Sequence, residues 1–340
     1  ISFQVCLIIA VGVVNWTITH IIPPSFLPKL ELKSGIPESL SSMVVIPTLL
    51  QSRQRVKELL DMLEVYYLGN HENNLYFALL GDFTDAKSKN MPDDESIVIY
   101  ALDEVKKLNR KYSFGKNDLF YFFHRYREFN KAQGVWMGWE RKRGKLMEFN
   151  KLLRGADDTS YYVKSGDIKK IPKIKYVITL DADTELPRGT AKRLIGTIFH
   201  PLNRAMVDDE GFRVMQGYGI LQPRISIGVV NATKSVFSRA FAGQGGIDPY
   251  TTAVSDVYQD LFGEGIYTGK GIYDVDVFLK MLDGYIPDNT VLSHDLLEGS
   301  YARCGLVTDI ELVDGFPSTY SSYTARMHRW IRSCMWMENH

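Results

Sequence analysis

The run from Ile174 to Leu180, closed by Asp181-Ala182-Asp183, narrows what this chain can become more than any other feature. It is rich in β-branched and apolar side chains, which predicts a strand buried on both faces of a parallel sheet. In open α/β sheets ligands sit beyond the carboxyl ends of the strands. Two carboxylates at that point can hold a divalent ion against a diphosphate. A D-x-D alone is as often a solvated turn, so its meaning depends on the rest of the chain.

The rest alternates strand and helix. Met43 to Leu49 reads as a strand, Ser52 to Leu68 as an amphipathic helix, and Leu75 to Leu80 as a second strand ending at Gly81-Asp82. A helix from Glu95 to Tyr112 and a strand from Asp118 to Phe123 follow. The next helix opens near Gly144-Lys145, and another opens at Pro187. Further on, Gly217 to Pro223 and Val307 to Val313 suggest strands. Val229 to Phe241, Asp274 to Leu282, Leu296 to Cys304 and Ser321 to Trp336 suggest helices. The Gly-rich stretches 243–246 and 263–271 read as mobile loops lining a site. The pattern is that of an α/β domain with a mostly parallel sheet.

With 340 residues, 45% of them hydrophobic, the chain can bury a large core. Lys and Arg together number 40 and Asp and Glu 40, a balance that argues against a nucleic-acid partner. Cys6, Cys304 and Cys334 lack metal or disulfide spacing, which fits a reducing compartment. Residues 1–22 carry no Asp, Glu, Lys or Arg and match the length of a membrane-spanning helix, ended by Pro23-Pro24. The expectation is a transmembrane helix over 1–22, a linker over 23–42, a catalytic domain over 43–336 and a tail over 337–340.

Four groups of residues suit chemistry. Asp82, at a strand end with Asp85 nearby, can accept hydrogen bonds from a base or ribose. Lys145, near a helix start after three basic residues, favours phosphate. Asp181 and Asp183 offer hard oxygen ligands for Mg²⁺ or Mn²⁺. Last come Ser293-His294-Asp295 and Arg326-Met-His-Arg329-Trp330. Asp295 is placed to act as a general base on an acceptor hydroxyl. Arg326 and Arg329 share a helical face, and Trp330 offers a surface for a sugar.

Taken together, VVIPT (44–48), LLGDFTDA (79–86), ERKRGKL (140–146), LDADTELPRG (180–189), LSHDLLEG (292–299) and RMHRW (326–330) resemble the glycosyltransferase domain of bacterial cyclic β-1,2-glucan synthases. The likeness runs from about Met43 onward. It implies a GT-A (nucleotide-diphospho-sugar transferase) fold preceded by a transmembrane helix, facing the cytoplasm at the bacterial inner membrane. It further implies UDP-glucose as donor, a β-1,2-glucan as acceptor, contact with membrane lipid, and further domains in a longer chain. By that likeness Asp82 and Asp181 contact the uridine and Asp183 the metal. Asp295 is the base, and Arg326, Arg329 and Trp330 close over the donor. His294-Asp295 stands where cellulose synthases have Glu-Asp, so acceptor details of that branch do not transfer.

Two rival readings use the same residues. A haloacid-dehalogenase-type phosphohydrolase also has an apolar strand followed by D-x-D-T, but no later strand is followed by the acidic pair it needs. A non-catalytic, membrane-tethered glycan-binding scaffold would keep the fold without turnover.

Overall fold

The computed structural model describes residues 2–113, 117–166, 168–208, 210, 213–228, 232–241, 256–289 and 294–337. Its strands are β1 (Ser42–Leu50), β2 (Leu75–Phe83), β3 (Phe120–Arg125), β4 (Glu128–Asn130), β5 (Val135–Met137), β6 (Tyr161–Lys164), β7 (Tyr176–Thr179), β8 (Thr184–Glu185), β9 (Met206–Val207), β10 (Val214–Gln216), β11 (Ile220–Ile227), β12 (Gly271–Asp274) and β13 (Cys304–Asp314). The helices are α1 (Ser2–Ile21), α2 (Arg53–Gly69), α3 (Asp94–Tyr112), α4 (Arg141–Leu153), α5 (Thr190–Ile198), α6 (Val236–Phe241), α7 (Val257–Phe262), α8 (Val275–Leu282), α9 (Asp295–Tyr301) and α10 (Tyr320–Met337).

A nine-stranded sheet in the order β6-β3-β2-β1-β7-β12-β11-β13-β8 forms the centre. Following the pairings outward from β1, strands β1, β2, β3, β7, β11 and β13 run one way, and β6, β12 and β8 run against them. The sheet is therefore mostly parallel, as the βαβ pattern predicts, and consistent with a GT-A-like fold. Side-chain alternation splits the core in two. Val44, Ile46, Phe77, Leu79 and Ile178 face α2, α3 and α5. Met43, Val45, Ala78, Leu80 and Val177 face the other way, toward α4 and α8.

Helix α2 shows how local sequence produces this packing. Ser52 caps it, its hydroxyl accepting from Arg55 N at 3.2 Å, and Val56, Leu59, Leu60 and Leu63 form one buried stripe. Each such side chain stabilises by roughly 1.5–3 kcal/mol when fully buried. Truncating Leu63 to Ala would cost about 2–5 kcal/mol, because the neighbouring strands cannot collapse into the gap.

Several boundaries differ from the sequence expectations. Pro187 does not open its helix. The chain passes through Gly189 in a left-handed conformation (φ 73°) and α5 begins at Thr190. The stretch 263–271 feeds directly into β12, which pairs with β7 and β11. The predicted helix 296–304 stops at Tyr301, and Arg303 (φ 51°) turns the chain into β13. Part of the helix expected over 229–241 and the glycines at 243–246 lie outside the described residues, as do Ser293 and most of the tail.

Residues 2–21 do form a helix, with Val5, Leu7, Ile9, Val13 and Trp16 exposed. Among the described residues, however, no helix is long and apolar enough to cross a membrane, so a spanning segment over 1–22 is not confirmed. The following stretch lies against the domain. Leu27, Ile36 and Leu40 are buried, and Leu30 N donates to Gly196 O at 3.0 Å.

Candidate active site

The site is built around the start of α4. Three basic residues, Arg141, Lys142 and Arg143, open this helix without an acidic residue in its first turn. At the positive end of a helix dipole that placement is unfavourable by itself. Carboxylates offset it, two from distant parts of the chain and one from the residue just before the helix. Arg141 Nη2 lies 2.9 Å from Asp85 Oδ2, Lys142 Nζ 2.6 Å from Asp181 Oδ1, and Arg143 Nη2 3.0 Å from Glu140 Oε2. One turn on, Lys145 Nζ lies 3.1 Å from Asp82 Oδ2 and donates to Thr48 O at 2.5 Å.

Since β2, β1 and β7 are neighbours in the sheet, Lys145 and Lys142 fasten α4 across three adjacent strand ends. Gly144 makes this seat possible, because a Cβ there would stand 2.1 Å from Trp139 O.

Asp82 is almost fully buried and is held by two cations. Arg125 grips it through a fork, Nε to Oδ1 and Nη2 to Oδ2, both at 2.8 Å, with Lys145 as the second. Burial alone would raise its pKa, but Lys145 and Arg125 hold it below the usual carboxylate range. Lys145 responds in the opposite sense. Burial, reinforced by Arg125, brings its ammonium down to about 8 despite Asp82. The lysine is only 3% exposed, so its charge serves Asp82 and the end of β1 in this arrangement and does not lie open to phosphate.

Asp181 continues the network. It takes Lys142 on one oxygen, and on the other Lys270 Nζ at 3.4 Å, which also pairs with the buried Asp314. Burial would raise the pKa of Asp181, and the two lysines pull it below normal.

Asp183 is different. Its side chain is 51% exposed, and Arg326 Nη1 stands 4.0 Å away. Burial and then the charges of Asp314 and Asp181 raise its pKa. Its position is fixed through the backbone, where Gly315 N donates to Asp183 O at 3.0 Å.

Asp295 begins α9 and is half-buried. Its carboxylate lies against Gly269, where a Cβ would come within 2.6 Å of Oδ1. Gly269 O in turn accepts from Lys142 Nζ at 2.8 Å. Burial raises the pKa of Asp295, Lys142 opposes the rise, and Asp181 adds to it. One turn along α9, Glu298 is buried, and burial followed by the Asp295 charge pushes it up to about 8.

The structure thus gathers Asp181, Asp183, Asp295 and Arg326 around Lys142 and Lys270, with Asp82 and Lys145 packed beside them under α4. The side chains of Arg329 and Trp330 lie outside the described residues. Sequence reasoning missed Arg125, Lys142, Lys270, Asp314 and Glu298. Lys142 stands in ERKRGKL and Glu298 in LSHDLLEG, two of the motifs quoted above, whereas Arg125, Lys270 and Asp314 come from strands or a turn with no motif of their own.

Acidic side chains thus gather near the carboxyl ends of a mostly parallel sheet, on an α/β domain consistent with a GT-A-like fold. No family model matches the chain. The chain is 47% identical over 324 residues, 95% of its length, to the cyclic beta-(1,2)-glucan synthase NdvB of Rhizobium meliloti (strain 1021). It spans 11% of that protein's length, so it corresponds to one domain of it. The chain is thus similar to one domain of a cyclic β-1,2-glucan synthase, the family that the six motifs resemble.

Proposed function

We propose that the chain is an inverting glycosyltransferase domain that moves glucose from UDP-glucose onto a growing β-1,2-glucan. The observation that carries this reading is the convergence of Asp181 and Asp183, from the loop after β7, and Asp295, from the start of α9, on one set of lysines. In the reaction Asp295 takes the proton of an acceptor hydroxyl as that oxygen attacks the anomeric carbon opposite the diphosphate. A single carboxylate near the nucleophile suffices for inversion of an α-linked donor to a β-linked product. Asp181 is assigned to the uridine side, held ionised by Lys142 and Lys270, whereas Asp82, buried with both oxygens on Arg125 and Lys145, seats α4 behind it instead of meeting the base as the resemblance implies.

Asp183 fits a role as ligand to Mg²⁺ or Mn²⁺. Its carboxylate is half exposed and lies near Asp314 and Asp181, whose repulsion Lys270 and Arg326 only partly offset. Among the described residues no group of three or more His, Cys, Asp or Glu side chains is placed to hold a metal alone. That agrees with an ion bound through one or two carboxylates and completed by phosphate oxygens and water. When bound, it supplies charge neutralisation for the departing diphosphate. Arg326, with Arg329 and Trp330 further along α10, completes the donor side.

The exposed apolar side chains of α1 support attachment at the inner membrane with this domain on the cytoplasmic face, where UDP-glucose is available. Membranes of cells producing the protein in full, supplied with radiolabelled UDP-glucose, should yield a labelled glucan whose linkage analysis gives 1,2-linked glucose. Label released as free glucose, or no transfer, would refute the assignment.

A further inference from the structure

Glu140 sits where a glycine or asparagine would be easier. It caps α4 in the left-handed conformation (φ 47°, ψ 25°), and Arg141 follows at φ 49°. Non-glycine residues are strained there and persist only when their surroundings impose it. The Glu140 side chain does not cap its own helix. It is buried and reaches across to the chain leading into α9. Its Oε1 accepts from Asn289 N at 2.8 Å, and Oε2 lies 3.7 Å from His294 Nε2 and 3.0 Å from Arg143 Nη2.

Neighbours extend the same grip. Trp139 Nε1 donates to Asp288 Oδ2 at 3.2 Å, and Arg143 Nη1 donates to Ile286 O at 3.0 Å. A helix as short as α9, seven residues, is not stable by itself and takes its orientation from such anchors. His294 directly precedes Asp295. On the carboxylate side Asp295 rests against Gly269, which Lys142 holds.

We propose that Glu140 is a positioning residue for the base Asp295, acting through Asn289 and His294 and setting the base against the donor-side carboxylate that Lys142 holds. This rests on the assignment of Asp295 as base. Glu140 is buried and spends its oxygens on Asn289, His294 and Arg143, so its loss should lower the rate of transfer and leave donor binding alone.

The test uses Glu140→Gln, which keeps an acceptor for Asn289 N, Glu140→Ala, which keeps none, His294→Asn, and the double variant Glu140→Ala with His294→Asn, all in the full-length protein. For Glu140→Ala the expected result is a fall in kcat of about 100-fold, the cost of a displacement on the order of 1 Å. The affinity for UDP measured by calorimetry with Mn²⁺ should be unchanged. Glu140→Gln should fall between Glu140→Ala and the parent. His294→Asn should show the same kcat-only loss, and the two losses should be non-additive in the double variant. Should Glu140→Ala fail to fold, Glu140→Gln and His294→Asn carry the test. Unchanged kcat in all four, strictly additive losses, or a parallel loss of UDP affinity would overturn the proposal. Asp295→Asn is run beside them. If it still transfers glucose, the base assignment itself fails; if it is dead while the Glu140 variants are fully active, only the positioning role fails.

Discussion

Lys142 Nζ lies 2.6 Å from Asp181 Oδ1 and also donates to Gly269 O at 2.8 Å, joining the strand end that carries Asp183 to the backbone packed against Asp295. One ammonium therefore connects the proposed donor side of the site to the proposed base. The predictions below follow from that connection and from the buried cluster behind it.

Asp295→Asn keeps the shape of the side chain and removes its capacity to take a proton. Transfer should fall by roughly 100- to 10,000-fold, the range for a lost general base, with UDP affinity unchanged. In the parent protein, burial and Asp181 raise the pKa of Asp295 against the pull of Lys142. The rate should accordingly be lost, as pH falls, at a higher pH than the value of about 4 usual for a carboxylate. An acid limb at or below the value of about 4 usual for a carboxylate would remove Asp295 from the role.

Gly269→Ala places a methyl group against the Asp295 carboxylate in a backbone conformation (φ 84°) that side chains rarely adopt. Transfer should be lost while UDP still binds. An active variant would show that the base does not work from this position.

Glu298 gives a stability test. Its pKa is about 8 in the folded chain against about 4.5 when unfolded, so the folded state binds more protons between those values. Its contribution to stability is fully present below pH 4.5 and is lost as pH rises through about 8. Glu298→Gln should therefore raise the thermal midpoint at pH 8 and change it little at pH 5. An equal effect at both pH values would contradict the assigned shift.

Arg125 is fully buried and carries the Asp82 fork, with further bonds to Trp139 O at 2.9 Å, Arg141 O at 3.0 Å and Glu148 Oε2 at 2.7 Å. Arg125→Met takes the guanidinium from two carboxylates, leaving Asp82 with Lys145 alone and Glu148 with Ser160, and should destabilise by about 3 kcal/mol in urea unfolding. Arg125→Lys should recover only part of this, because a point charge cannot replace the planar fork. A loss below about 1 kcal/mol, the scale of an exposed pair, would mean that the cluster is not the buried network described.

The sheet was legible because its strands are apolar runs closed by turn residues, and the βαβ alternation leaves few ways to arrange them. Asp181, Asp183 and Asp295 were legible for the same reason, since each ends a strand or starts a helix. Strand β12 was not, because Gly269 and Gly271 read as loop residues. Their glycines serve close packing instead: a Cβ at Gly271 would stand 2.1 Å from Leu221 O. The basic run from Arg141 to Lys145 read as a phosphate binder, yet its charges meet Asp85, Asp181, Glu140 and Asp82. Pairings over such separations depend on how the helix seats on the sheet, which local pattern does not encode.

The central claim is that Asp183 and its neighbours form one metal-assisted nucleotide-sugar site, and calorimetric titration of UDP with and without Mn²⁺ tests it most directly. Binding to the parent protein should require the metal. In Asp183→Ala the metal-dependent affinity should drop by at least the roughly 10- to 100-fold seen when even a supporting partner of a metal ligand is removed. UDP binding that ignores Mn²⁺, or that survives intact in Asp183→Ala, would contradict the account.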